Sequence, residues 1–135
     1  MSVSVAILNG PLPAAGAFRA PPGGGATLVF EGIVREREGD GLLLALDYEA
    51  YEPMARLMLE KIGGELLDRH GLLVLAVEHS RGRVPVGACS FRLSIASRHR
   101  KEALAAMDEF IDRLKHEVPL WKRPVWNEGA GPRAR

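Results

Sequence analysis

Hydrophobic positions follow two different periods along this chain. From Pro53 to about His70, Met54, Leu57, Met58, Ile62 and Leu66 recur three and four residues apart, which predicts a helix with those positions inward. Pro53 suits its first turn and Gly71 its C-terminal cap. The pair Gly63-Gly64 in its middle costs about 1 kcal/mol per glycine against alanine, so it marks close packing or a kink. A second helix lies within Ser97 to Lys122. Ala103, Leu104, Met107, Phe110, Ile111, Leu114 and Val118 form its apolar face, Ser97 is the expected N-cap, and Pro119 stops it.

The remaining segments read as strands. Val3 to Leu8 is an edge strand, and Ala26 to Arg35 is a continuous apolar run, read as a buried strand with a bulge at Gly32. Leu42 to Tyr51 alternates and is expected to pair with that run as a hairpin across the polar, mobile loop Glu36 to Gly41. Leu72 to Glu78 and Ala88 to Ala96 are strands separated by a turn-rich stretch, Gly82 to Gly87. In the second of them Cys89, Phe91, Leu93 and Ile95 face in, and Ser90, Arg92 and Ser94 face out. Arg123 to Asn127 adds a short strand. Residues 1–25 form a variable N-terminal segment, with a short helix over Leu12 to Arg19, and residues 128–135 form a flexible tail. No repeat or internal boundary is visible, so residues 1–135 are read as a single domain. From Leu42 onward the order strand, helix, strand, strand, helix, strand favours, by pattern alone, an α+β sandwich of ferredoxin-like type.

Composition narrows the function. With 135 residues, 47% hydrophobic and 26% charged, the chain has the make-up of an ordinary globular domain. A net charge of +1 makes any basic surface local and disfavours a nucleic-acid partner; an RNA-binding reading is also disfavoured by the few aromatics expected to be exposed. One cysteine excludes an internal disulfide and points to the reducing cytoplasm. Neither a signal peptide nor an apolar stretch of membrane-spanning length is present, so no membrane partner is expected.

The chemistry concentrates at the two ends of the last helix. Arg98, His99, Arg100 and Lys101 crowd its start, where the dipole favours acids. With Ser97 as N-cap, a capping box would place Glu or Gln at position 100, and the chain has Arg there. Basic side chains added to free backbone N–H groups make an anion site suited to phosphate. At the other end, Pro119 and Trp121 offer a way to bring Lys122 back towards Lys115, and paired lysines suit proton transfer or nucleophilic chemistry. The competing interpretation makes Lys115 a partner of the C-terminal dipole and Lys122 a solvated surface charge. Cys89 reads as a structural thiol, and the four histidines lack zinc spacing, so neither metal nor cofactor is implied.

Together, S-x-H-R at Ser97 to Arg100 and L-K-x-x-x-P-x-W-K at Leu114 to Lys122 resemble the catalytic, large subunit of molybdopterin synthase. Gly25 to Arg35, L-D-Y-E-A-Y at Leu46 to Tyr51, and H-S-R-G-R-V-P-V-G at His79 to Gly87 extend the resemblance in the same order. It implies an α+β fold of α/β-hammerhead type with an additional small antiparallel β-sheet, in place of the ferredoxin-like sandwich. It also implies a sulfurtransferase of molybdenum cofactor biosynthesis. Two sulfurs pass to cyclic pyranopterin monophosphate from the C-terminal Gly-Gly thiocarboxylate of a small ubiquitin-like sulfur-carrier subunit. The large subunits are expected as a homodimer within a heterotetramer. By the same resemblance Lys115 and Lys122 are catalytic, and Ile33, Val34, Arg35, His99, Arg100, Lys115, Lys122, Arg123 and Pro124 line the substrate. Pro124 departs from the family, which often has Glu there. The alternative from the residues alone is a non-catalytic ferredoxin-like module that holds a phosphorylated metabolite at the basic helix start.

Overall fold

The structure, a computed structural model, describes residues 1–127; the expected flexible tail lies outside them. The chain forms β1 (Ser2–Asn9), β2 (Ala26–Ile33), β3 (Arg37–Glu38), β4 (Gly41–Ala50), α1 (Met54–His70), β5 (Val74–Pro85), β6 (Cys89–Ser97), α2 (Arg100–Glu117) and β7 (Leu120–Trp126). This is the α+β class that the sequence implied.

β5 ties two sheets together. Its first part lies between β1, which runs parallel to it, and β6, which runs antiparallel; β2 adds on the far side of β6. Its last four residues pair instead with β4, which also pairs with β7 and the short β3. The crossover falls at Gly82, whose φ of +85° is open to glycine and costly for other residues. Gly82 to Gly87, expected as a turn, is therefore strand as far as Pro85. The ferredoxin-like pattern is not adopted, because β1 and β2, which precede β4, supply both outer strands of the larger sheet.

Both helices cover one face of that sheet. Leu59, Ile62, Leu66, Leu75, Leu93, Ile95 and Phe110 are fully buried there, each contributing about 1.5–3 kcal/mol of hydrophobic stabilisation. In α1 the inward set is Ala55, Leu59, Ile62, Gly63, Leu66 and Leu67, whereas Met54 and Leu57 are exposed. In α2, Ala106 is buried and Leu104 faces solvent. Each change is one step around the helix, the error expected when stripe width is read without a partner surface. Gly63 sits against β1, where an added Cβ would approach Val3 Cγ1 to 2.9 Å, and Gly71 caps α1 in the left-handed region.

The opposite face of the sheet is covered too. Residues 10–25 form no helix but cross it as an extended strap, Pro11, Pro13 and Gly16 being poor helix formers. Leu12 N–H bonds to Cys89 O at 2.9 Å. Beneath the strap lies Arg92, expected to face solvent and instead buried. It sits in a row between Glu31 and Glu78, donating to them at 2.9 and 3.0 Å and to Pro13 O at 2.7 Å. A buried guanidinium is tolerable because two carboxylates and a carbonyl satisfy it. β2 is not the buried strand its composition implied. It is an outer strand with Val29, Phe30 and Ile33 exposed, and it pairs with β6 rather than β4. The hairpin of β4 is made with the two-residue β3, which occupies the stretch expected to be a mobile loop. β7 begins at Leu120, earlier than expected.

Candidate active site

α2 opens two residues later than expected. Ser97 stays in β6, fully buried, and its hydroxyl donates to His99 O. His99 is the N-cap, so the third helical position is Glu102, whose carboxylate accepts the His99 N–H at 3.1 Å. The helix start thus has its acid after all. Arg98, His99, Arg100 and Lys101 surround a concavity floored by Gly25 and Ala26. Gly25 is there because a Cβ would lie 2.3 Å from Arg98 O.

The other end of α2 borders a cavity of about 590 Å³, a size suited to a small ligand. Lys115 comes from the last turn of α2, Lys122 from β7, and Ile33, Val34 and Arg35 from the exit of β2. Val34 is buried; its N–H bonds to Ala88 O at 3.0 Å and its carbonyl accepts from Gly87 at 2.9 Å, so the backbone leading to Arg35 is fixed. Lys122 lies directly opposite Tyr48 on the neighbouring β4, which turns both side chains to the same face. Phe30, Leu43, Leu46, Ile111, Leu114 and Trp121 supply apolar lining.

The sequence-derived set is therefore divided. Ile33, Val34, Arg35, Lys115 and Lys122 meet in one cavity; His99 and Arg100 do not. Sixteen residues of helix separate His99 from Lys115, about 24 Å at 1.5 Å per residue, too far to hold one phosphate together with Arg35 from a single chain. Arg123 sits on the other face of the small sheet, opposite Asp47 and 3.6 Å from Glu49. Pro124 pairs with Leu46 and adds no side-chain donor. The one carboxylate among the cavity's lining residues is Glu38, carried by β3.

Sequence reasoning missed an uncharged group on the cavity wall: Tyr48, His79 and Ser90. The Tyr48 hydroxyl and Ser90 Oγ are 2.9 Å apart, and His79 Nδ1 donates to Ser80 O at 2.8 Å. Burial pushes His79 below the ordinary imidazole range and raises the Tyr48 phenol above its own. The visible signal was a tyrosine and a histidine at strand positions otherwise apolar, both inside segments that carried the family resemblance. Cys89 is half-buried; burial pushes its thiol up, and Sγ donates to Phe91 O at 3.3 Å. The Arg92 guanidinium, 4.0 Å from Sγ, pulls the other way, but burial outweighs it and the thiol is not activated. Among the described residues no three His, Cys, Asp or Glu side chains gather to hold a metal ion, and no helix is long and apolar enough to cross a membrane.

Comparison with known proteins gives a consistent result. Residues 11–117 match the family described as MoaE protein. The molybdopterin synthase catalytic subunit of Staphylococcus carnosus (strain TM300) is 37% identical over 113 residues, spanning 84% of this chain and 75% of that protein. Its counterpart in Bacillus subtilis (strain 168) is 38% identical over 105 residues, 78% and 67% of the two chains. Among solved structures, molybdopterin synthase from Staphylococcus aureus aligns with a TM-score of 0.75 at 33% identity over 85% of this chain and 84% of that one. The complex of subunits 1 and 2 of molybdopterin-converting factor from Helicobacter pylori 26695 aligns at 0.70, with 27% identity over 95% and 93%.

Proposed function

This chain belongs to the MoaE family, and from that premise we propose that it is the catalytic subunit of a molybdopterin synthase acting as a sulfurtransferase. Its substrate is cyclic pyranopterin monophosphate. Its sulfur arrives on the C-terminal Gly-Gly thiocarboxylate of a small ubiquitin-like subunit, in the reducing cytoplasm. The observation that carries the reading is the convergence of Lys115, Lys122 and Arg35 on one cavity of ligand size, with the thiol of Cys89 unsuited to carry sulfur.

In this reading the carrier's thiocarboxylate sulfur attacks an oxygen-bearing substrate carbon: a carbon–sulfur bond forms, a carbon–oxygen bond breaks with its electron pair going to oxygen, which leaves protonated, and a thioester joins carrier and substrate. Lys115 supplies and removes protons at the reacting oxygen and sulfur. Water then cleaves the acyl–sulfur bond, leaving the sulfur on the substrate and a carboxylate on the carrier, and the Lys115 ammonium stabilises the oxyanion of that step. Lys122 and Arg35 hold the substrate's negative charge. Two rounds complete the dithiolene. Because His99 and Arg100 lie about 24 Å from Lys115 along one helix, they complete the phosphate site of a second copy, which makes the homodimer the working unit.

The test is single-turnover conversion with pre-thiocarboxylated carrier. Lys115→Ala is expected to lower the rate by about 10²-fold or more, the scale of a general acid–base group. It should still bind the small subunit. Wild-type turnover by the variant would overturn the assignment of Lys115, and failure of the unmodified protein to bind the carrier or convert the pterin would overturn the reaction.

A further inference from the structure

The wall facing the lysines is built from three strands. Gly32, Phe91 and His79 are direct neighbours across β2, β6 and β5, so they share the face that looks toward α2. Gly32 adds no side chain to that row, which leaves the cavity open above Phe91 and His79. Next to the row the register slips: Gly32 pairs with Phe91 but Ile33 with Cys89, so Ser90 is an extra residue in β6. A bulge of this kind re-aims side chains, and here both Ser90 and Phe91 line the cavity. The Tyr48 ring meets His79 edge-on at 5.2 Å and 80°, and Phe91 packs against the same imidazole at 5.9 Å. The imidazole is thereby fixed on both sides.

The Nδ1–H of His79 is committed to Ser80 O, so Nε2 carries a lone pair. Nε2 has no partner among the described residues and is not among the sealed, unpaired polar atoms, so it opens on the cavity. Tyr48 and Ser90 have two hydroxyl protons and spend one on each other, which leaves one to donate. The wall presents one free donor beside the Nε2 acceptor and the remaining hydroxyl lone pairs, with no charge.

We infer that Tyr48, Ser90 and His79 read the neutral part of the substrate, a heterocycle carrying an N–H beside a carbonyl, while Lys122 and Arg35 take its anionic part. The inference deepens the sulfur-transfer reading and rests on it. Burial keeps the imidazole neutral, so the acceptor persists at physiological pH. A ligand without the matching edge would leave partly buried polar groups unpaired, which is how such a wall discriminates.

The test uses the intact protein and two probes, cyclic pyranopterin monophosphate and inorganic phosphate, by calorimetric titration with thermal unfolding alongside. Tyr48→Phe keeps the ring packing and deletes the hydroxyl. It is expected to weaken pterin binding about tenfold while changing phosphate binding by less than about twofold. His79→Phe should do the same, His79→Gln should recover part of the loss, and the kinetic cost should fall mainly on KM. Equal losses for both probes, or unchanged pterin binding in Tyr48→Phe, would overturn the wall and leave the reaction standing. Failure of the unmodified protein to bind the pterin at all would overturn the reaction and this inference with it.

Discussion

At the scale of single residues, His79 links the cavity wall to stability. Its folded-state pKa lies below the unfolded value of about 6.5, so below that pH the unfolded chain binds more protons. The stability from keeping it neutral is complete above about pH 6.5 and is lost as pH falls from there through the folded value. The titratable groups lining the same cavity are Tyr48 beside it, Glu38, Arg35, Lys115 and Lys122; burial lowers the imidazole, and its bond to Ser80 O opposes that in part. Asp47, Glu109 and Glu117 are held below the usual carboxylate range by Arg83, by His70 and by Arg113, so their contribution is lost in a separate, lower window, below about pH 4. Thermal unfolding from pH 8 to 5 should therefore show a loss in the wild type that His79→Phe largely lacks. Parallel curves for the two proteins would refute the assignment.

At the scale of elements, the two glycines of α1 make a controlled comparison. An added Cβ at Gly64 meets nothing within 4 Å, whereas one at Gly63 meets Val3 and Leu75 at 2.9 and 3.2 Å. Gly64→Ala should stabilise the protein by about 0.5–1 kcal/mol through helix propensity and the unfolded chain. Gly63→Ala should gain nothing or lose stability, since β-branched Val3 cannot easily move aside. Equal gains in denaturant unfolding would show that the β1 contact is soft. The helices were legible in the sequence because periodicity is a local property. What failed depended on partners distant in the chain. Ser97 has the chemistry of a cap, but β6 keeps it as strand, and the helix waits for His99 and Glu102. Val29, Phe30 and Ile33 read as core, yet β2 lies at a sheet margin. Lys115 and Lys122 drew notice by their spacing about Pro119, whereas Arg35 was singled out only through the family resemblance. Tyr48, His79 and Ser90 were not singled out: they lie on three strands whose pairing depends on distant partners, and the one-residue slip between β2 and β6 that puts Ser90 on the wall leaves no periodic trace.

For the whole molecule, α2 acts as a spacer with a basic cluster at one end and the lysine cavity at the other. If each working site draws on both ends of different copies, two inactive variants should rescue each other. Mixing Arg100→Ala with Lys115→Ala under subunit exchange should restore up to about a quarter of wild-type turnover, since half the dimers are mixed and each has one intact site. No recovery, with exchange verified, would mean that each chain works alone. The strap across the back of the sheet carries a different implication, for the order of the chain itself. Its middle, Ala14 to Ala17, is exposed, while its ends are held by Gly10 N–H to Arg81 O at 2.7 Å and Gly25 N–H to Ser97 O at 3.0 Å. Scission there would yield two peptides, one owning β1 and the other all the remaining strands, still joined by an eight-residue ladder and by Arg92 gripping Pro13. Covalent continuity matters least at that point, which makes it the natural place for new chain ends.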